Sequence, residues 1–162
     1  MFFTITAVAL SGLLSLNPAT VINNKVEAEQ TKEEIQIVDE RAEKLDAYFA
    51  KWDMPLEGQG AKFIEEADRY GLNWRLLPAI SVAESSGGKY MKNNNPFGWA
   101  SCEIAFNDFS HAIEIVAWNL GGENPQTAKY YKDADLDTIL WYYNGSVIKT
   151  YPDKVKYIMT LF

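Results

Sequence analysis

The chain has 162 residues, 48% of them hydrophobic, enough for one ordinary domain with a real core. Its net charge of −7 argues against a nucleic-acid partner and gives no long-range attraction to anionic wall polymers. One cysteine and one histidine exclude a Cys/His metal cluster, and Cys102 has no partner for an internal disulfide. No Gly-rich phosphate loop or Gly-x-Ser-x-Gly elbow is present. Aromatic residues make up 14%, with five tryptophans and nine tyrosines, a surplus that suits either a groove stacking on sugar rings or a dense core.

In chain order, residues 2–16 form an uncharged apolar run the size of a signal-peptide core and short for a full membrane span. No Lys or Arg precedes it, and neither Pro18-Ala19 nor Val26-Glu27-Ala28 is a clear cleavage site, so an uncleaved anchor stays open. Residues 1–22 are therefore read as signal peptide or anchor, 23–38 as polar linker or the start of a helix, and 39–162 as the domain. Val38, Ala42, Leu45, Phe49 and Trp52 recur at three and four, which predicts a helix from Asp39 to Trp52. A turn with Pro55, Gly58 and Gly60 leads to a second helix over 61–70 that buries Phe63, Ile64 and Ala67.

The third helix, with Asn73 as its expected N-cap, carries the first chemical signal. Leu77, Ile80 and Glu84 share one face, so a carboxylate continues an apolar stripe. Gly87 and Gly88 read as the helix stop, which puts Glu84 in the last turn, near the negative end of the dipole. Burial and the dipole both disfavour the ionised form, and a carboxyl that keeps its proton near neutrality is what a general acid needs. The polar run Asn93 to Asn95 with Pro96 is an ordered loop, and the alternation from Glu103 to Phe109 predicts a short strand or hairpin. Ser110 is the expected cap of a helix bearing Ala112, Ile113, Val116, Ala117 and Leu120, with His111 a solvated first-turn residue. A turn of helix near Thr127, a helix begun by Asp135 or Asp137 and ended by Asn144-Gly145, and a last helix opened by Pro152 complete the chain.

Leu77-Pro78-Ala79-Ile80-Ser81-Val82-Ala83-Glu84-Ser85, followed by Gly87 and by Asn95-Pro96-Phe97-Gly98-Trp99, resembles the bacterial glucosaminidase family. Phe106-Asn107-Asp108-Phe109-Ser110 looks like the aromatic strand and helix cap that follow there. Tyr143-Asn144-Gly145 is also similar to the Tyr-Asn-x-Gly element of lytic transglycosylases, which share the lysozyme-like fold. The resemblance covers about residues 39–162 and implies a mainly α, lysozyme-like helical domain with a small β-hairpin after the catalytic helix.

It further implies cleavage of the β-1,4 bond next to N-acetylglucosamine in peptidoglycan, with Glu84 as general acid and no metal or organic cofactor. An exported monomer acting on glycan strands is expected, with residues 2–16 as a possible membrane anchor. Two carboxylates commonly flank such a bond, about 5–5.5 Å apart for retention and roughly 6.5–9.5 Å for inversion. Glu103 is the first candidate for the second and Asp108 the next, although the substrate's own group can serve instead. Tyr143 matches a family tyrosine that faces the cleft, and its hydroxyl could stabilise developing positive charge or orient a nucleophile. Phe97 and Trp99 could form a sugar-stacking floor, or Phe97 could pack beneath the loop. Asn95 could bond an N-acetyl group or tie the loop, Ser85 could hold the Glu84 carboxyl or close the helix end, and Tyr151 reads as structural. Lytic transglycosylase chemistry and a non-catalytic glycan-binding module are the alternatives.

Overall fold

The computed structural model describes residues 39–162. The signal or anchor reading of 1–22 and the linker reading of 23–38 lie outside the described residues. Among those residues there are seven α-helices and no strand: α1 (Glu40–Lys51), α2 (Gly60–Arg69), α3 (Leu76–Ser85), α4 (Phe109–Leu120), α5 (Ala128–Tyr131), α6 (Leu136–Leu140) and α7 (Tyr151–Met159). A 3-10 turn, Trp99–Cys102, follows α3, and one π turn, Trp141–Gly145, continues α6. Among the described residues no helix is long and apolar enough to cross a membrane.

Local sequence explains the helix ends. Asp39 caps α1 by accepting the Arg41 N–H at 2.8 Å. Ala42, Leu45 and Phe49 are buried as the period requires, but the helix stops at Lys51, and Trp52, outside the regular turn, is half exposed. Gly60 opens α2 against the Ala42 carbonyl of α1, where a Cβ would collide with backbone. On α2, Phe63, Ile64 and Ala67 are buried; so is Glu66, which pairs with Lys62 at 2.6 Å and Arg69 at 3.3 Å. Asn73 is not the cap of α3: its Oδ1 takes the Arg75 N–H at 3.0 Å in the turn that precedes the helix. Nor does Ser110 cap α4. Asp108, on extended backbone, accepts the His111 N–H at 2.8 Å, and Ser110 inside the helix donates to Gln59 at 3.1 Å.

The core lies where α1, α2, α3, α4 and α7 meet, filled by Phe49, Phe63, Leu77, Ile80, Ile113 and Val155. α3 packs chiefly on α7, and Lys154 of α7 donates to the Ala83 carbonyl at 2.8 Å, placing a cation at the C-terminal end of α3. Leu77 and Ile80 are buried, and Ser86 in the left-handed region ends the helix just past Glu84.

The predicted hairpin over 103–109 is not formed. Ile104 and Phe106, which alternation puts on one face, part company: Phe106 is buried and Ile104 is exposed. An isolated β-bridge joins Lys92 and Asn95, outside that span, and the Phe106 N–H bonds the Asn93 carbonyl at 2.9 Å; side chains add to this single backbone link. Asn93 donates to the Cys102 carbonyl at 3.0 Å, and Asn94 to those of Phe106 at 3.1 Å and Asn107 at 3.2 Å. With no second strand to pair against, these two amide side chains take over much of the work of a ladder.

Candidate active site

Glu84 reaches the surface at the base of a cavity of about 600 Å³, within the range of small-molecule sites. Its Oε1 is buried with no hydrogen-bond partner. Its Oε2 lies under Gly98, where a Cβ would come within 3.0 Å of it; Gly98 also has φ +63°, so both space and backbone call for glycine. A buried carboxylate oxygen without a donor costs free energy, and such atoms call for an explanation in function. Among the described residues Glu84 is the only carboxylate lining this cavity.

One wall is the loop. Ser85 Oγ accepts the Gly88 N–H at 2.9 Å and donates to the Pro96 carbonyl at 2.7 Å, which staples the loop to the end of α3. Asn95 is buried; its Oδ1 takes the Trp99 N–H at 3.0 Å and its Nδ2 donates to the Trp99 carbonyl at 2.8 Å. Both side chains are thus spent on the backbone, so Ser85 does not hold the Glu84 carboxyl and Asn95 has no free face for an N-acetyl group. Phe97 is fully buried, edge-on to Phe63 at 6.3 Å, and offers no stacking face. Trp99 does line the cavity, as the sequence proposed. Beyond it Ala100, Ser101 and Cys102 have φ of 49°, 55° and 59°, a left-handed turn that costs non-glycine residues about 1–2 kcal/mol each.

Tyr143, from the π turn, lines the cavity and donates its hydroxyl to the Phe97 carbonyl at 2.5 Å. Its ring stacks on Tyr151 with centroids 5.9 Å apart and planes at 5°, and meets Trp99 at 5.7 Å. Burial, and after it the Glu84 charge, pushes the Tyr143 hydroxyl well above the ordinary phenol value, so it serves as a proton donor in hydrogen bonds. Tyr151 does not line the cavity, but it packs behind Tyr143. Its hydroxyl is buried without a partner, like Glu84 Oε1, and is pushed far up by burial, by Tyr143 and by Glu84 beside it. Nothing local in the sequence separates this tyrosine from a packing residue.

Glu103 is exposed and is not part of the cavity wall; Asp108 is committed to the α4 cap. Neither candidate second carboxylate joins Glu84. The far wall comes instead from residues the sequence reading passed over: Ile115, Trp118 and Asn119 of α4, with Asn124, Gln126 and Thr127. Asn119 is buried; it donates to the Ile115 carbonyl and accepts from Asn124 and Thr127, each at 2.8 Å. Ile115 and Trp118 lie on a face beside the buried stripe, with Asn119 at its border, and a tryptophan on that second face was the available signal. A smaller cavity of about 360 Å³, lined by Leu72, Leu76, Leu120 and Asp133 among others, carries none of the predicted site residues. Among the described residues no three His, Cys, Asp or Glu side chains come together to hold a metal ion.

The chain matches no protein-family model, no curated protein and no solved structure.

Proposed function

We propose that the protein is a glycoside hydrolase that cleaves the β-1,4 bond next to N-acetylglucosamine in peptidoglycan. The observation that carries this is Glu84: a carboxyl at the base of a cavity of about 600 Å³, one oxygen buried and unpartnered, the other under Gly98. Flat aromatic rings, Trp99 and Trp118, and the amide side chain of Gln126 line the same space, a mixture that suits sugar rings and their acetamido and hydroxyl groups. In this reading Glu84 protonates the glycosidic oxygen as the bond breaks, and Tyr143 fixes the loop above it through the Phe97 carbonyl. The domain is lysozyme-like, acts outside the cytoplasm as a monomer and needs no cofactor.

One observation favours a variant of the chemistry. Among the described residues Glu84 is the only carboxylate lining the cavity, and in this reading the group that attacks the anomeric carbon comes from the substrate or from a water held by it. The substrate's acetamido oxygen leads to hydrolysis, and the muramic acid 6-hydroxyl leads to an anhydro product, as in a lytic transglycosylase. Mass spectrometry of digested sacculi separates them: reducing N-acetylglucosamine ends mark the hydrolase, anhydro-muropeptides the transglycosylase. Binding of chitin oligomers with neither product would leave a glycan-binding module.

A further inference from the structure

The aromatic residues around the cavity form a circuit that does not stop at its rim. Trp99 and Tyr143 line the cavity with rings 5.7 Å apart. From Trp99 the circuit passes to Tyr131 at 6.4 Å, from Tyr131 to Tyr130 at 6.2 Å, and from Tyr130 to Tyr142 at 5.1 Å. Tyr142 precedes Tyr143 in the π turn, which closes the loop through the backbone. The inner members are covered, with Tyr131 buried and its hydroxyl pushed up to about 12. The outer two are open, Tyr130 40% and Tyr142 46% exposed. Lys129 lies over the Tyr130 ring at 4.7 Å, a cation at the outer edge of a strongly acidic protein.

We propose that Tyr130 and Tyr142 form a stacking platform that continues the cavity and takes a further sugar ring of a β-1,4-linked, N-acetylated glycan strand. The inference rests on the glycan reading of the Glu84 cavity and adds its direction: the strand leaves between α5 and the π turn. Continuity carries it. Thr127, one turn before Tyr130, and Asn144, two residues after Tyr142, both line the cavity, so the platform adjoins that end of it. Two tyrosines from separate elements, packed on each other and left open beside the cavity, present flat apolar area where a chain longer than the cavity must go. Lys129 adds charge complementarity to the carboxylates of peptide stems borne by such a strand.

The test is binding of chitotriose and chitohexaose by calorimetry, with the whole protein in a Glu84→Gln background that removes turnover. The platform gives the hexamer an advantage over the trimer that Tyr130→Ala and Tyr142→Ala each cut about five- to tenfold, while Tyr130→Phe and Tyr142→Phe keep it. Trimer affinity, which reports the cavity, changes far less. Equal losses for both lengths, or hexamer binding untouched by the alanine variants, overturns the platform and leaves the cavity reading standing. Failure of the parent protein to bind either oligomer overturns the glycan reading and the platform with it.

Discussion

The two sides of the cavity are built by opposite means. The α3 side is a regular helix whose buried face, Leu77 and Ile80, is set by period and delivers Glu84 at a fixed angle in its last turn. The facing loop has no regular structure beyond a 3-10 turn, and its shape is held by Asn93, Asn94, Asn95 and Ser85 bonding to backbone. Packing makes a rigid floor, and side-chain amides make a wall whose geometry depends on individual residues. Substitutions in the helix face should therefore act through stability, and those in the loop through the site.

Phe97 is where the two meet, a loop residue buried in the helical core, and Phe97→Ala should break the contrast most severely. It is expected to cost about 3–5 kcal/mol, read as a large fall in denaturant midpoint. Asn95→Ala comes next. It strips the Trp99 N–H and carbonyl of their partners and should cost about 1–3 kcal/mol, with a change in Trp99 fluorescence as the loop loosens. Gly98→Ala sharpens the comparison, because it strains a left-handed backbone by about 1–2 kcal/mol and presses a methyl on Glu84 Oε2. Its loss of activity should exceed what its small shift in melting temperature explains. Tyr151→Phe removes an unpartnered hydroxyl beside Glu84. Stability should hold within about 1 kcal/mol, because the hydroxyl has no partner to lose, while kcat falls about tenfold if the hydroxyl pairs with Glu84 once substrate fills the cavity.

The smallest effect belongs to the surface far from both walls. The Arg41 guanidinium holds the Asp39 and Asp68 carboxyls below the ordinary aspartate value. Their folded values are depressed, so the stability they add is full above about pH 4 and is lost as pH falls through the folded values. Arg41→Ala should lower the melting temperature slightly at neutral pH and low salt, and the difference should close as pH falls through the folded aspartate values.

The same contrast explains what could be read from the sequence. The helices were legible because burial repeats at three and four, and so was Glu84, whose position continues that repeat. The loop was not. Alternation at Ile104 and Phe106 looked like a strand, yet a strand needs a partner edge, and the asparagines satisfied the backbone first. For Asn95 and Phe97 the sequence leaves ligand contact and loop packing both open, because a polar, aromatic loop beside a carboxylate fits either; in three dimensions the amide faces its own backbone and the ring faces the core. Trp99 and Tyr143 do reach the cavity. Trp118 and the Asn119 network were missed since their face of α4 lies beside the stripe that defines the helix, and Tyr151 since its hydroxyl acquires meaning only through α3 and the π turn.

The measurement that bears most directly on the central claim is turnover of purified sacculi by the protein and by its Glu84→Gln variant, with chitin-oligomer binding followed in parallel. The protein should release new glycan ends, and the variant should lose activity by about 10²–10⁴-fold while its binding stays. Equal release by both proteins, or no release by either, would contradict the claim.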